Sequence, residues 1–229
     1  MNLSPASLLR HAGELEQEGR LQEALALLNR AVAMDTKLVS AYVDLISVCG
    51  RLGLNQQAEH AYGQAIALDP NRAEAYYNFG VFCFERLRLG EAQASFERAV
   101  QLSPRHAEAL HNWGVILEGE RKWERAAALY RRALDAKPSY PLAHFHLGRI
   151  YADQNRYALA IQEFEKSLEP AGEATPTYLY ALAAVNARSG AHMRAVELMR
   201  EARAQASARR QTSLVASIDR DLARMGARP

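Results

Sequence analysis

The chain has 229 residues, with 28 lysines and arginines against 26 acids, a formal net charge of +2 and 49% hydrophobic residues. No stretch approaches the roughly 20 continuous apolar residues that span a bilayer, and the run Met1–Ser7 lacks a basic start followed by an apolar core. Membrane insertion and a secretory leader are therefore not expected, and the default location is cytoplasmic.

An alanine returns every 34 residues, at Ala24, Ala58, Ala92, Ala126 and Ala160, and once more at Ala195 after one extra residue. A period of this length is the signature of a stacked helical unit. The units expected from it are 5–38, 39–72, 73–106, 107–140, 141–175 and 176–209, arranged as one solenoid domain over 1–229. Within each, two helices are separated by a residue that tolerates positive φ: Gly19, Gly53, Asn155 and Gly190 fall at that point. Pro70, Pro104 and Pro138 close three successive units, because a residue without an N–H and with fixed φ stops the second helix.

The apolar pattern has helical spacing throughout. In the third unit Tyr76, Phe79, Gly80 and Cys83 share one face of a first helix, and Ala92, Phe96 and Ala99 share one face of a second. The fourth unit repeats the pattern with Trp113, Gly114, Leu117, Ala126, Tyr130 and Ala133. Cys49 and Cys83, the only two cysteines, are one period apart within this apolar text and read as buried free thiols. In the fifth and sixth units the junction Glu169–Pro176 departs from the pattern, with Thr175 and Pro176 reading as an N-cap and a first helical residue. Asn186 stands where an apolar core residue is expected.

Beyond the last unit, Leu214, Val215, Ile218, Leu222 and Met225 form a stripe opposite Arg209, Arg210, Ser217, Asp219 and Arg224. A capping helix over about 211–225 is expected there, because the end of a solenoid otherwise exposes an apolar face. Residues 188–229 hold nine arginines. They alternate with apolar residues instead of forming a stripe that tracks a nucleic-acid backbone, so no nucleic-acid partner is expected.

These features together resemble the tetratricopeptide repeat family over 5–209. The alanine opening each second helix is followed by Leu28, Tyr62, Phe96, Tyr130, Phe164 and Met199, then by the small residues Ala31, Ala65, Ala99, Ala133, Ser167 and Ala202. Ile46 departs from the pattern, standing where glycine or alanine is usual. The resemblance implies an all-α fold, a right-handed superhelix of paired helices whose first helices line the concave side. It places Arg10, Asp44, Asn78, Asn112 and His146 at one inward offset, preceded by Leu9, Val43, Tyr77, His111 and Phe145. Val81, Val115 and Arg149 follow one turn later, then Phe84 and Glu118.

The binding groove expected from this assignment comprises Tyr77, Asn78, Val81, Phe84, His111, Asn112, Val115, Phe145, His146 and Arg149. Its amides suit the main chain of an extended peptide, and its apolar members suit alternate side chains. Asn78 and Asn112 resemble the start of the asparagine ladder in the repeats of O-linked N-acetylglucosamine transferase. The two-lysine clamp of the chaperone-binding branch is not visible, since Lys37, Lys122, Lys137 and Lys166 are the only lysines and miss its offsets.

His111, His144 and His146 do not make a metal site, because residues two apart on a helix point to different faces and two imidazoles lack a third ligand. No nucleophile elbow, zinc-protease or phosphate-loop motif is present. The sequence thus predicts a non-enzymatic protein-interaction scaffold that binds a protein or peptide and needs no cofactor or metal. Two alternatives stay open, a self-associating structural scaffold and the targeting arm of a larger enzyme such as a glycosyltransferase, and the oligomeric state is open as well.

Overall fold

A computed structural model describes residues 4–227. Every regular element among the described residues is an α-helix, thirteen in all. They fall into two compact units, one running to Ile116 and the other starting at Leu117. In the first unit lie α1 (Pro5–Gln17), α2 (Leu21–Met34), α3 (Val39–Arg51), α4 (Asn55–Leu68), α5 (Ala73–Glu85) and α6 (Leu89–Leu102). The division falls inside α7 (Ala107–Gly119), and the second unit continues with α8 (Trp123–Ala136), α9 (Pro141–Asp153), α10 (Tyr157–Ser167), α11 (Thr175–Arg188), α12 (His192–Ala208) and α13 (Thr212–Arg224).

Within the first unit α1 packs on α2, α3 on α4 and α5 on α6, and each first helix also touches the next, α1 on α3 and α3 on α5. In the second unit α9 pairs with α10 and α11 with α12, while α13 covers α12. The expected capping helix is therefore present, with its own Ile218 and Leu222 fully buried and Tyr180 on α11 donating a hydrogen bond to its Asp221. The alanines that announced the repeat, Ala24, Ala58, Ala92, Ala126, Ala160 and Ala195, all have 0% exposure. A methyl side chain at each lets two backbones approach closely, which a larger residue would prevent.

Glycine on the first helix takes this approach further. A Cβ at Gly80 would lie 2.7 Å from the Phe96 ring, and one at Gly148 would lie 2.9 Å from Phe164. Both phenylalanines are buried in the space the glycines leave. At the equivalent place in the second repeat Ile46 fills that space itself and is fully buried. The matching aromatic, Tyr62, is only half-buried and stacks instead on Phe79 of α5, with ring centroids 3.9 Å apart. Ile46 takes the volume that the phenylalanine ring fills in the other repeats, and the Tyr62 ring is turned onto the next first helix instead.

The reversal inside each unit is a Schellman turn. The amide three residues past the helix end donates to a carbonyl five residues back, from Arg20 to Leu15, Leu54 to Cys49, Arg88 to Cys83, Lys122 to Leu117, Arg156 to Tyr151 and Ala191 to Asn186. The intervening residue must adopt positive φ. Gly19, Gly53, Asn155 and Gly190 do so as expected, and so do Leu87 (φ 59°) and Arg121 (φ 61°), whose types gave no warning. Arg210 repeats the turn before the capping helix. The prolines act as expected: α4, α6 and α8 each end two residues before Pro70, Pro104 and Pro138.

Helix α11 starts one residue earlier than the sequence pattern predicts. Thr175 is its first residue and Ala174 its cap. The Thr175 hydroxyl accepts a hydrogen bond from the Gly172 amide at 2.7 Å, so it stabilises the preceding loop instead of capping the helix. Asn186 is buried, and its amide donates to the Leu182 carbonyl at 2.8 Å, which satisfies the polar group inside the helix that carries it. The two cysteines are buried free thiols, and burial pushes the Cys83 thiol up to about 11.

Leu87 is 81% exposed, so its side chain contributes little packing while its backbone holds a conformation unfavourable to L-residues. Leu87→Gly is expected to stabilise the protein by about 0.5–1 kcal/mol, a small rise in thermal midpoint. Gly80→Ala should act in the opposite sense by about 1–3 kcal/mol, because the new methyl overpacks against the ring of Phe96. Thermal denaturation of the two variants beside wild type checks both signs.

Candidate functional site

The ten groove residues expected from the sequence are divided between the units. Tyr77, Asn78, Val81, Phe84, His111, Asn112 and Val115 lie in the first, and Phe145, His146 and Arg149 in the second. In the first unit the face of α5 opposite its buried stripe carries Tyr77, Asn78, Val81 and Phe84, all half-buried. Asn112 and Val115 on α7 are half-buried as well, whereas His111 is 5% exposed and belongs to the interior. Its Nδ1 donates to Asn112 Oδ1 at 3.0 Å.

Asn78 is partly committed within the chain. Its Nδ2 donates to the main-chain carbonyl of Val43 on α3 at 3.0 Å, a tie between successive first helices. The amide therefore joins the two repeats through its donor side, and its carbonyl oxygen is not needed for that tie. Tyr77 lies beside it with its ring centroid 4.6 Å from that of His106. Burial pushes the Tyr77 hydroxyl up, and the nearby Glu108 carboxylate acts in the same direction, against the Asn112 amide.

Two cavities flank the Tyr77–Asn78 pair. One, of about 170 Å³, is walled by Ile46 and Ser47 of α3 and by Val81 and Phe82 of α5. The other, of about 340 Å³, has charged side chains in its wall, with Asp44 of α3, Arg72 and Glu74 at the start of α5, and His106 and Glu108 at the start of α7. Of these five, only Asp44 was placed on the binding face from sequence. The signal for the others was present, since Arg72 and His106 are one period apart and so are Glu74 and Glu108.

Asp44 stands out electrostatically. Burial pushes its carboxyl up to about 6, helped by the negative charge of Glu16 and opposed by Arg72. Glu16 itself is engaged, accepting hydrogen bonds from Ser47 at 2.6 Å and Arg51 at 3.1 Å.

In the second unit the expected residues form a satisfied polar network. Glu118, 8% exposed, receives Tyr130 Oη at 2.7 Å and His146 Nδ1 at 2.8 Å on one oxygen, while Arg149 Nη1 lies 3.4 Å from the other. Burial by itself would raise the Glu118 carboxyl, but the hydrogen bonds from His146 and Tyr130 and the charge of Arg149 hold it below the ordinary range. Phe145 packs on Tyr178 with centroids 4.8 Å apart and also lies against His146 and Phe164. His144 faces the other way, with Nδ1 2.6 Å from Glu163 and Nε2 3.0 Å from the Pro138 carbonyl. Both histidines are thus used to join helices, α9 to α7 through His146 and α9 to α10 through His144.

Comparison with known proteins agrees with this architecture. The sequence profile described as tetratricopeptide repeat matches residues 50–107, 84–141 and 111–178, together more than half of the chain. No curated protein sequence matches it. Among solved structures, the chain is similar to pilF of Pseudomonas aeruginosa, with 17% identity, TM-score 0.82 and coverage of 95% of this chain and 97% of that one. It is also similar to PilW, described as a widely conserved type IV pilus biogenesis factor, with 23% identity, TM-score 0.74 and coverage of 89% and 94%. A third, YrrB, described as a repeat protein with an unusual peptide-binding site, has 18% identity, TM-score 0.65 and coverage of 84% and 97%. At these identities the likeness establishes the fold alone, the all-α superhelical class expected from the sequence.

The contrast between Asp44 and Glu118 sets two opposite pH responses. The folded-state value of Asp44, about 6, lies above its ordinary 3.8. Its ionisation therefore opposes folding by an amount that grows as the pH rises from 3.8 to about 6, is complete above that and vanishes below the ordinary value. Asp44→Asn should stabilise the protein at pH 7.5 by about 1 kcal/mol, a figure reduced for the solvent that reaches this half-buried group, and should be neutral in strong acid. Glu118 behaves in reverse: its depressed value stabilises the fold above the ordinary 4.5 and loses effect as the pH falls through the folded-state value. Glu118→Ala should cost about 3 kcal/mol at neutral pH, with the penalty shrinking in acid. Denaturant midpoints of both variants across pH 3–8 measure the two trends.

Proposed function

Because the chain belongs to the tetratricopeptide repeat family, we propose that it is a protein-interaction module that holds an extended polypeptide segment against its first helices. The observation that carries this reading is the row of half-buried side chains on α5, Tyr77, Asn78, Val81 and Phe84, which lie outside the fully buried stripe of that helix. They alternate aromatic, amide and aliphatic chemistry along one face, and cavities lie on either side of Tyr77 and Asn78. An extended strand presents main-chain groups and alternate side chains at the spacing such a surface offers. Asn78 is fixed by its bond to the Val43 carbonyl, so the carbonyl end of its amide is held in place before a ligand arrives, which lowers the entropic cost of pairing a peptide N–H.

The description of YrrB as carrying a peptide-binding site is in keeping with this use of the fold. The face is designed for a chain more than for a small molecule, since its two cavities are small and separated by Tyr77 and Asn78. Phe145, His146 and Arg149 extend the same role to the second unit, where the ring of Phe145 offers an apolar surface and the Arg149 guanidinium lies 6.0 Å from that ring. Neither self-association nor attachment to a catalytic domain is favoured by a feature of comparable detail.

The test uses a photoreactive benzoylphenylalanine placed at Val81, with Ala94 as control, since Ala94 is exposed on α6 and away from the proposed surface. Irradiation in the presence of a pooled library of unstructured decapeptides should give cross-linked peptide at Val81 and background yield at Ala94. Equal yields at the two positions would overturn the reading.

A further inference from the structure

The charged cavity of the first unit contains a carboxylate that the chain answers only through the charge of Arg72 nearby. Asp44 makes no hydrogen bond or ion pair among the described residues, yet it lines an open pocket of about 340 Å³ and is half-buried. The positive groups around it are already occupied or discharged. Arg72 Nε lies 2.9 Å from Glu74 Oε2, so its charge is matched at the rim. Burial holds His106 below the ordinary imidazole range, and its Nδ1 accepts a hydrogen bond from the Ala109 amide at 3.3 Å, so at neutral pH it is uncharged. Glu108 adds a further carboxylate on the same side, 3.6 Å from that ring nitrogen.

Asp44 is thus left without a matched cation of its own among the described residues, so the pocket presents a carboxylate that a cationic ligand would balance. Its remaining wall is aromatic, formed by the Tyr77 and His106 rings at 4.6 Å and inclined by 38°. A flat cation on a long apolar stem meets each of these features: it presents charge to Asp44, stacks on an aromatic face, and enters a space sized for one side chain. An ammonium would meet the charge without the stacking geometry. An anion or a neutral side chain would leave the carboxylate both desolvated and unpaired.

We propose that this pocket receives the guanidinium of an arginine in the bound polypeptide, with Asp44 as its counter-charge and Tyr77 as its stacking wall. The inference rests on the peptide-binding reading and names the residue class that the first unit selects. It also accounts for an unpaired acid whose burial opposes folding, because a group that costs stability in the free protein is retained where a ligand gains from it.

The test is a titration of the isotope-labelled full chain with N-acetyl-arginine amide, following the backbone amides of Asp44, Tyr77 and Asn78 by NMR. N-acetyl-citrulline amide, similar in shape and uncharged, is the control. Saturable shifts at those amides are expected with the arginine compound, with affinity at least about tenfold weaker for the citrulline compound. Asp44→Asn should lose the response by a similar factor while the rest of its spectrum stays that of wild type. Absence of a saturable shift, equal response to both compounds, or an unchanged response in Asp44→Asn each overturns the proposal. No polypeptide is involved, so such a failure leaves the Val81 cross-link standing, whereas loss of that cross-link removes the peptide-binding reading itself.

Discussion

The close approach of two helices at a single small residue is the constraint on which the remaining structure depends. Each repeat alanine has no exposure at all, and in two repeats a glycine on the facing helix brings a phenylalanine to a position where no Cβ fits. At such contacts the backbones are near enough that each helix has one narrow stripe committed to its partner. The rest of a first helix is then available. Tyr77, Asn78, Val81 and Phe84 on α5 are half-buried because the stripe with Phe79, Gly80 and Cys83 has already met the packing requirement.

The Schellman turn is the second half of the same device. It reverses the chain within a few residues, so the helices of a unit are adjacent by construction and the repeat stays in register along the chain. The price of tightness appears at Leu87 and Arg121, which hold positive φ without the freedom of glycine. Their tolerance shows that the packing on either side dictates the turn, since the local preference of these residue types opposes it. A turn imposed by flanking helices demands less of its own sequence than a turn that must form alone.

The repeat spacing made the fold legible because each mark of it has a direct physical cause. Alanine recurs where helices touch, proline where a helix must stop, and glycine where φ is positive. The misses lie where one residue type is compatible with several roles. Leucine and arginine say nothing of positive φ. Thr175 carries the chemistry of an N-cap, but the Gly172 amide was a competing donor and took its oxygen. On the binding face, Asp44 and Asn78 were placed by their offset, yet the walls that make a pocket around Asp44 come from residues before and at the start of the next first helices. His111 and His146 were read as surface groups. The structure shows one buried against Asn112 and the other drawn to Glu118, because a histidine beside an acceptor is pulled into whichever network completes its hydrogen bonds.

Two acids on first helices show how the same scaffold separates stability from binding. Glu118 collects a tyrosine, a histidine and an arginine, and its burial is compensated within the second unit. Asp44 is half-buried and has no such partners among the described residues, so its partial desolvation is offset only by the charge of Arg72 nearby. Desolvating a lone carboxylate opposes folding, and a structural role would have drawn in a donor, as Glu16 draws in Ser47 and Arg51 one helix away. The missing partner of Asp44 is therefore best sought outside the chain. A cation arriving with a bound segment finds its counter-charge already stripped of much of its water and aimed from a rigid helix, so most of the reorganisation that pairing requires was completed when the protein folded.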